Sequence, residues 1–379
     1  MLSLLRRHRQ RLTQIVLILI GLFALVFWLR SFDVREALEE LVAANFWWVG
    51  AFMVSHAAMV TLRAARWRAI LRPLFHLPFR PACEIFFLGE FLNITFAMRT
   101  GDVAKAAMLR QQTGVPVLSG LSLIFADKIF ELWGLISVTA LGLVMVLATN
   151  EDVGGISVPV LAFYPALLVF MVAFLRLMAT NRTEVIVQRL AERTGLIGRL
   201  AGLTHHIVIG LRAAAQMPRS RLVGLALISS FIYAVDGLSV TFLFWAVGAD
   251  VSPFKVLLAS TMVALIFLIP VPGNIGTLEG GFSIFFGQLG VAGSSQINAV
   301  AILFHVALYL GMLLLALGSL HRYRSLVGAR PDLAVAEIAD SDGSVARGDG
   351  AQPDEPPPQM EADPRTPLRT RDSELGTRR

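Results

Sequence analysis

Residues 270–279 read Pro270-Val271-Pro272-Gly273-Asn274-Ile275-Gly276-Thr277-Leu278-Glu279, and they interrupt an otherwise apolar region. Residues 256–269 precede the interruption and residues 282–291 belong to the arm that follows it. Each proline removes an amide donor and clashes with the turn before it, so a helix entering this stretch must end. Gly273 and Gly276 permit the tight turn that reverses the chain. Both arms are shorter than the ~18–20 apolar residues a helix needs to cross a bilayer core. The pattern therefore predicts a re-entrant helical hairpin. Bare backbone at its tip is tolerated at membrane depth only where protein or a water-filled cavity surrounds it.

A second hairpin of the same design lies earlier in the chain. Residues 82–98 form an apolar arm that runs into Arg99-Thr100-Gly101-Asp102, and a short helix follows through Arg110. Uninterrupted apolar runs at 12–29, 47–62, 117–149, 158–178, 222–247 and 295–320 read as full spans. The expected fold is an all-α polytopic membrane helix bundle of about six full spans plus two re-entrant hairpins. Hairpins dipping from opposite faces would give the two halves an inverted repeat. If both arms of each hairpin cross instead, eight to ten spans result.

Composition agrees with this reading. Of 379 residues, 55% are hydrophobic and 16% charged, and the mean hydropathy is +0.67. A soluble domain needs more charged surface. The net charge of +6 is unevenly placed: residues 326–379 carry seven Arg against eleven acids, so the remainder is strongly basic. Basic charge sorts the loops. Residues 63–80 hold five Arg and no acid, and residues 180–221 hold seven Arg and two Glu. Loop 30–46 has four acids to two Arg. The positive-inside rule then places both termini in the cytoplasm, in a bacterial inner membrane. It also accounts for the basic charge without nucleic acid. The run at 12–29 is long for a signal peptide and lacks a small-residue cleavage site, so it reads as an uncleaved first span.

Two regions divide the chain: 1–325, an integral membrane domain, and 326–379, a tail with Pro356-Pro357-Pro358 and few large apolar residues, expected to be disordered. Within the first, segment 180–220 alternates apolar residues and arginines at helical spacing, which suits a cytoplasmic helix in the headgroup layer or packed on the bundle.

Ionisable groups at membrane depth persist only when paired or facing a cavity. They are Glu90, Asp127, Lys128, Glu131, Asp236, Glu279 and His305. Asp127 and Glu131 share a helix face, and Lys128 stands three residues before Glu131. Either they fix helix packing or they form a cavity wall that pairs with Arg99 or a headgroup. Glu279 starts the second half-helix: it either caps that helix or belongs to an anion site built on free N–H groups. Arg99 and Lys105 flank the start of the short helix in the first hairpin, where two cations suit a phosphate. Asp236 either bonds a neighbouring helix or takes part in transport, and His56 and His305 read as structural. The single cysteine, Cys83, excludes an intrachain disulfide and a cysteine metal cage. No metal-ligand spacing, cofactor fingerprint or nucleophile–base pair is visible.

These pieces together resemble the lysylphosphatidylglycerol synthase transmembrane family, the flippase-like domain. The stretches that carry the resemblance are Leu62-Arg63-Ala64-Ala65-Arg66-Trp67, Asn93 through Arg99-Thr100-Gly101-Asp102 and Lys105, Asp127-Lys128, and the stretch from Pro270 to Glu279. The sequence departs from the pattern at Ala97, usually proline, and at Lys105, usually arginine. The resemblance implies a domain that moves a lipid or lipid-linked molecule, phosphate-bearing or hopanoid-like, between leaflets. Some relatives carry a soluble aminoacyl-transferase domain that is not seen after residue 322, so an enzyme is not expected.

The expected translocation set is Glu90, Asn93, Arg99, Gly101, Asp102, Lys105, Asp127, Lys128, Glu131, Pro270, Pro272, Gly273, Asn274, Gly276, Thr277 and Glu279. Arg63, Arg66 and Trp67 are expected to touch headgroups at the interface. The expected partners are membrane lipids and an envelope-biosynthesis enzyme. A membrane-embedded transferase on a lipid phosphate and a non-catalytic assembly scaffold are the alternatives.

Overall fold

The computed structural model describes residues 33–72, 75–96, 99–115, 117–151, 217–265 and 271–320, with isolated positions within 23–30 and 166–173. The spans expected at 12–29 and 158–178 fall largely outside these residues, and the amphipathic segment and the tail wholly so. Nine α-helices and no strand occur among the described residues.

Helix α1 is Val34–Ala43, started by the Asp33 carboxylate, which accepts from the amides of Arg35 and Glu36. Asn45 then caps α2, Phe46–Leu71, which turns away from α1 by 85°. Two short helices follow, α3 (Phe79–Thr95) and α4 (Thr100–Thr113). The long α5 spans Val117–Ala148. The second series begins with α6, Arg219–Ala246. Next come α7 (Pro253–Ala264), a 3-10 turn at Pro272–Asn274 and α8 (Thr277–Gln288), and α9 (Ser294–Leu320) ends the bundle.

The order is a long helix, two short ones and a long one, twice over. The packing is reciprocal as well: α5 of the first series contacts α7 of the second, and α9 contacts α3. The first helices of the two series, α2 and α6, pack on each other. Twelve-residue α7 and α8 reach only about 18 Å each at 1.5 Å per residue, well short of a ~30 Å hydrocarbon core. Ser119–Ala148, Arg219–Ala246 and Ser294–Leu320 are long and apolar enough to cross, and the bent pair of α1 and α2 makes a fourth. The protein is therefore a polytopic helical membrane protein. Its outer face fits that solvent, since Val306, Leu310, Leu314 and Leu317 form an exposed apolar stripe along α9.

Two apolar cores hold the bundle. One joins α2, α6, α7, α8 and α9 around Phe52, Phe244, Phe282 and Phe286. The other joins α2, α3, α4 and α5 around Trp67, Phe86 and Met108. At Gly101 the α3–α4 hairpin closes so tightly that an added Cβ would sit 1.9 Å from the Gly89 carbonyl oxygen. Only glycine allows that approach.

Candidate functional site

The break between α3 and α4 is held by Asn93. Its carbonyl oxygen accepts from the Asp102 amide at 3.1 Å and its amide donates to Asp102 Oδ1 at 2.9 Å. This stitches the end of one helix to the start of the next. Arg99, at the corner, adopts a left-handed backbone (φ 52°, ψ 40°). A non-glycine residue held there costs ~1–3 kcal/mol and persists only where surrounding structure demands it. Its guanidinium reaches Asp102 only at 3.9 Å, and its side chain is 44% exposed.

Lys105 behaves differently. It is 1% exposed, lies over the Phe86 ring, and pairs with Glu90 and, at 3.3 Å, with Asp102. The expected pair of free cations is thereby corrected. Lys105 neutralises carboxylates within the hairpin, and of the two cations only Arg99 is half exposed.

The charges of α5 extend this network. Lys128 pairs with Glu131 at 2.8 Å and Glu90 at 3.8 Å. Asp127 and Glu131 receive Arg66 at 3.0 and 3.5 Å, and Arg66 also donates to Ser229. Further along α2, Arg63 donates to Asp236 at 2.5 Å and lies over Tyr233, while His56 Nδ1 meets the other Asp236 oxygen at 2.8 Å. Headgroup contact at the bilayer surface, expected of Arg63, Arg66 and Trp67, is corrected too. Arg66 and Trp67 are each 1% exposed, within the bundle, and Arg63 faces an internal cavity. Isolated charges would be costly there, and mutual pairing offsets the desolvation. Glu90, Asp102, Asp127, Glu131 and Asp236 match Arg63, Arg66, Arg99, Lys105 and Lys128 in number.

At the second break, Gly273, Asn274 and Gly276 all have positive φ. The Glu279 carboxylate accepts from the Gly276 amide at 2.7 Å and also binds His305. Thr277 bonds back to the Asn274 carbonyl. Of the two readings of Glu279, capping is the geometry observed, and the Gly276 amide is already taken. Tyr309 of α9 donates to the Ile94 carbonyl at the end of α3, and the 3-10 turn also contacts α3, so the two breaks abut.

Between them lies a cavity of about 750 Å³. Glu90, Asn93, Arg99 and Asp102 reach it from the first hairpin, Lys128 and Glu131 from α5, and Asn274 from the second hairpin. Lys105, Asp127, Gly101, Gly273, Gly276, Thr277 and Glu279 support these groups without lining the space. Pro270 lies outside the described residues, and Pro272 is described only as the start of the 3-10 turn. The cavity also takes His56, Tyr233 and Asp236, absent from the expected site. Asp236 stood out as a charge in an apolar run, but only the packing of α2 on α6 gives it His56 and Arg63 as partners.

A helical membrane protein with an ion-paired cavity where two broken helix pairs meet is the class these features define. The chain belongs to the family described as Lysylphosphatidylglycerol synthase TM region, matched over residues 14–316. It is similar to the Glycosyltransferase AglD of Haloferax volcanii, 26% identical over 332 residues, which is 79% of this chain and 52% of that protein. It is also similar to a UPF0104 membrane protein of Methanothermobacter thermautotrophicus, 26% identical over 332 residues, covering 80% of this chain and 89% of the other. The chain thus spans about half the length of the first relative.

Proposed function

We propose that this protein moves a lipid with an anionic, phosphate-bearing headgroup between leaflets, through the cavity where the two hairpins meet. The observation that carries the reading is that Arg99, from the first break, and Asn274, from the second, line one space. Across the whole ion-pair network, including Arg66, Lys105 and Asp127 behind the lining, cations and carboxylates are equal in number without a ligand, so the half-exposed Arg99 guanidinium can take a phosphate while the rest stay paired. Cost favours the same route. A headgroup crossing bare hydrocarbon loses its hydration, whereas a polar cavity substitutes fixed partners. The basic segment 180–221, and Arg72 and Arg80 beyond the end of α2, support cytoplasmic termini, in a bacterial-type cytoplasmic membrane.

The test is translocation of a fluorescent phosphatidylglycerol in liposomes carrying the full chain. Arg99→Gln is expected to slow it by at least tenfold while leaving the fold intact. Equal rates for Arg99→Gln and the unaltered protein would refute the site.

A second reading has one observation in its favour. His56 backed by Asp236 is the arrangement of a general base, and one relative is named a glycosyltransferase. A membrane-embedded transferase would leave a covalently changed lipid, visible by mass spectrometry. A translocator changes sidedness alone. An assembly scaffold for an envelope enzyme would tolerate loss of the Arg99 charge.

A further inference from the structure

His56 has a second ring nitrogen that the ion-pair network leaves unused. The residue is 5% exposed, yet it lines the cavity. Its Nε2 has no hydrogen-bond partner among the described residues. Asp236 binds Arg63 through Oδ2 and His56 through Oδ1, so the carboxylate is the acceptor and the imidazole proton resides on Nδ1. In the neutral imidazole Nε2 is then a lone-pair acceptor, and this backing fixes the tautomer. Phe52 stacks on the ring, with planes 14° apart, and holds its orientation.

Among the described residues, two other side-chain atoms of the cavity lining are in the same condition, Arg63 Nε, a donor, and Ser260 Oγ. Ser260 Oγ, on α7, is buried and has no partner among the described residues. A buried acceptor left unmet costs ~1–3 kcal/mol. His56 Nε2 and Ser260 Oγ, on helices from different halves of the bundle, indicate that a ligand with hydroxyls satisfies them, and Arg63 Nε is left to donate to an oxygen of the same ligand.

We infer that the cavity takes a phosphodiester lipid whose headgroup carries hydroxyls, one of which donates to His56 Nε2 while Ser260 Oγ bonds a second. This rests on the translocation reading for the phosphate at Arg99 and adds the chemistry beyond it. An ammonium headgroup would also offer N–H donors, but it would bring positive charge beside Arg63, whose carboxylate is already shared with His56. A choline headgroup has no donor. A polyol or sugar supplies neutral donors, and its C–H faces suit the rings of Phe282, Phe304 and Tyr233 that share the lining.

The experiment is a binding titration on the full chain in nanodiscs, which does not depend on movement between leaflets. The probes are dihexanoyl phosphatidylinositol, dihexanoyl phosphatidylmethanol and dihexanoyl phosphatidylethanolamine. The first two carry the same single phosphodiester charge and differ in hydroxyls. The unaltered protein is expected to bind phosphatidylinositol about tenfold tighter than phosphatidylmethanol, the scale of one or two net hydrogen bonds. His56→Phe and Ser260→Ala each reduce that preference and leave phosphatidylmethanol affinity unchanged. His56→Gln, which keeps an acceptor, retains part of it.

Equal affinity for the two probes in the unaltered protein overturns the inference. So does tightest binding of phosphatidylethanolamine, or a His56→Phe variant that weakens both anionic probes equally, as a purely structural or proton-carrying histidine would. Preference in binding without movement in liposomes would instead refute the translocation reading and leave the headgroup assignment standing.

Discussion

Arg66 Nη2 lies 3.0 Å from Asp127 Oδ1 inside the bundle, joining α2 to α5 where neither side chain meets the bilayer surface. Glu131 stands 3.5 Å from the same nitrogen, so one guanidinium serves two carboxylates. Replacing Arg66 by methionine leaves both without that counter-charge. Breaking a buried pair from one side costs ~3–5 kcal/mol. We expect Arg66→Met to lower the thermal midpoint of the detergent-purified protein sharply. Adding Asp127→Asn should recover a measurable part of the loss, because the stranded charge is then removed. A double variant as unstable as the sum of the two singles would show that the pair is uncoupled.

Arg99 makes stability and transport change in opposite directions. Its left-handed backbone is easy for glycine and strained for arginine. Arg99→Gly should therefore stabilise the hairpin by about 1 kcal/mol while lowering transport of an anionic lipid at least as much as Arg99→Gln. Thermal unfolding and liposome translocation on the same preparation check both halves. A variant that is destabilised as well as inactive would mean that the side chain holds the corner in place.

Gly101 tolerates no side chain. A methyl group would enter the van der Waals shell of the Gly89 carbonyl and of Asn93. Gly101→Ala should open the α3–α4 hairpin and weaken both Asn93–Asp102 bonds. Faster proteolysis or amide exchange within 93–105 is the expected readout, with loss of transport. Unchanged protection over this segment would contradict the tight closure.

Tyr309 tests the junction between the hairpins. Its hydroxyl donates to the Ile94 carbonyl, and a Cβ added at Gly273 would lie 3.1 Å from the Tyr309 hydroxyl oxygen. Tyr309→Phe removes one hydrogen bond and should cost ~0.5–1.5 kcal/mol. If the two breaks must stay in register for a headgroup to pass, transport should fall by more than this stability loss accounts for. Transport at the normal rate would show that the bond is structural only.

Much of the architecture is legible in the chain because a bilayer imposes strict local rules. Apolar length marks the long helices α5, α6 and α9, and prolines and glycines mark the two breaks. A break falls near each expected place, although α3 already ends at Thr95 with α4 starting at Thr100, and α7 ends at Ala264 with α8 starting at Thr277. Against six expected spans, three helices among the described residues are long and apolar enough to cross, or four with the bent pair, and two of the six expected spans fall largely outside those residues. Segment 47–62 proves to be part of a longer helix that carries Arg63 and Arg66 inward. An arginine just past an apolar run looks interfacial when read along the sequence, because nothing local reveals a carboxylate on another helix.

The sequence by itself determined that this is a membrane protein of helices, where the chain bends, and which few residues bring charge into an apolar setting. Those properties follow from hydrophobic length and backbone chemistry, which act over a handful of neighbours. The tertiary structure decided which charges are spent on each other and which stay half exposed. It left the Arg99 guanidinium half open, enclosed Lys105 and Arg66, and set His56 in the cavity wall with its Nε2 unpartnered among the described residues. Pairing energy depends on distance across helices far apart in the chain, as between His56 and Asp236, and no local pattern encodes that distance.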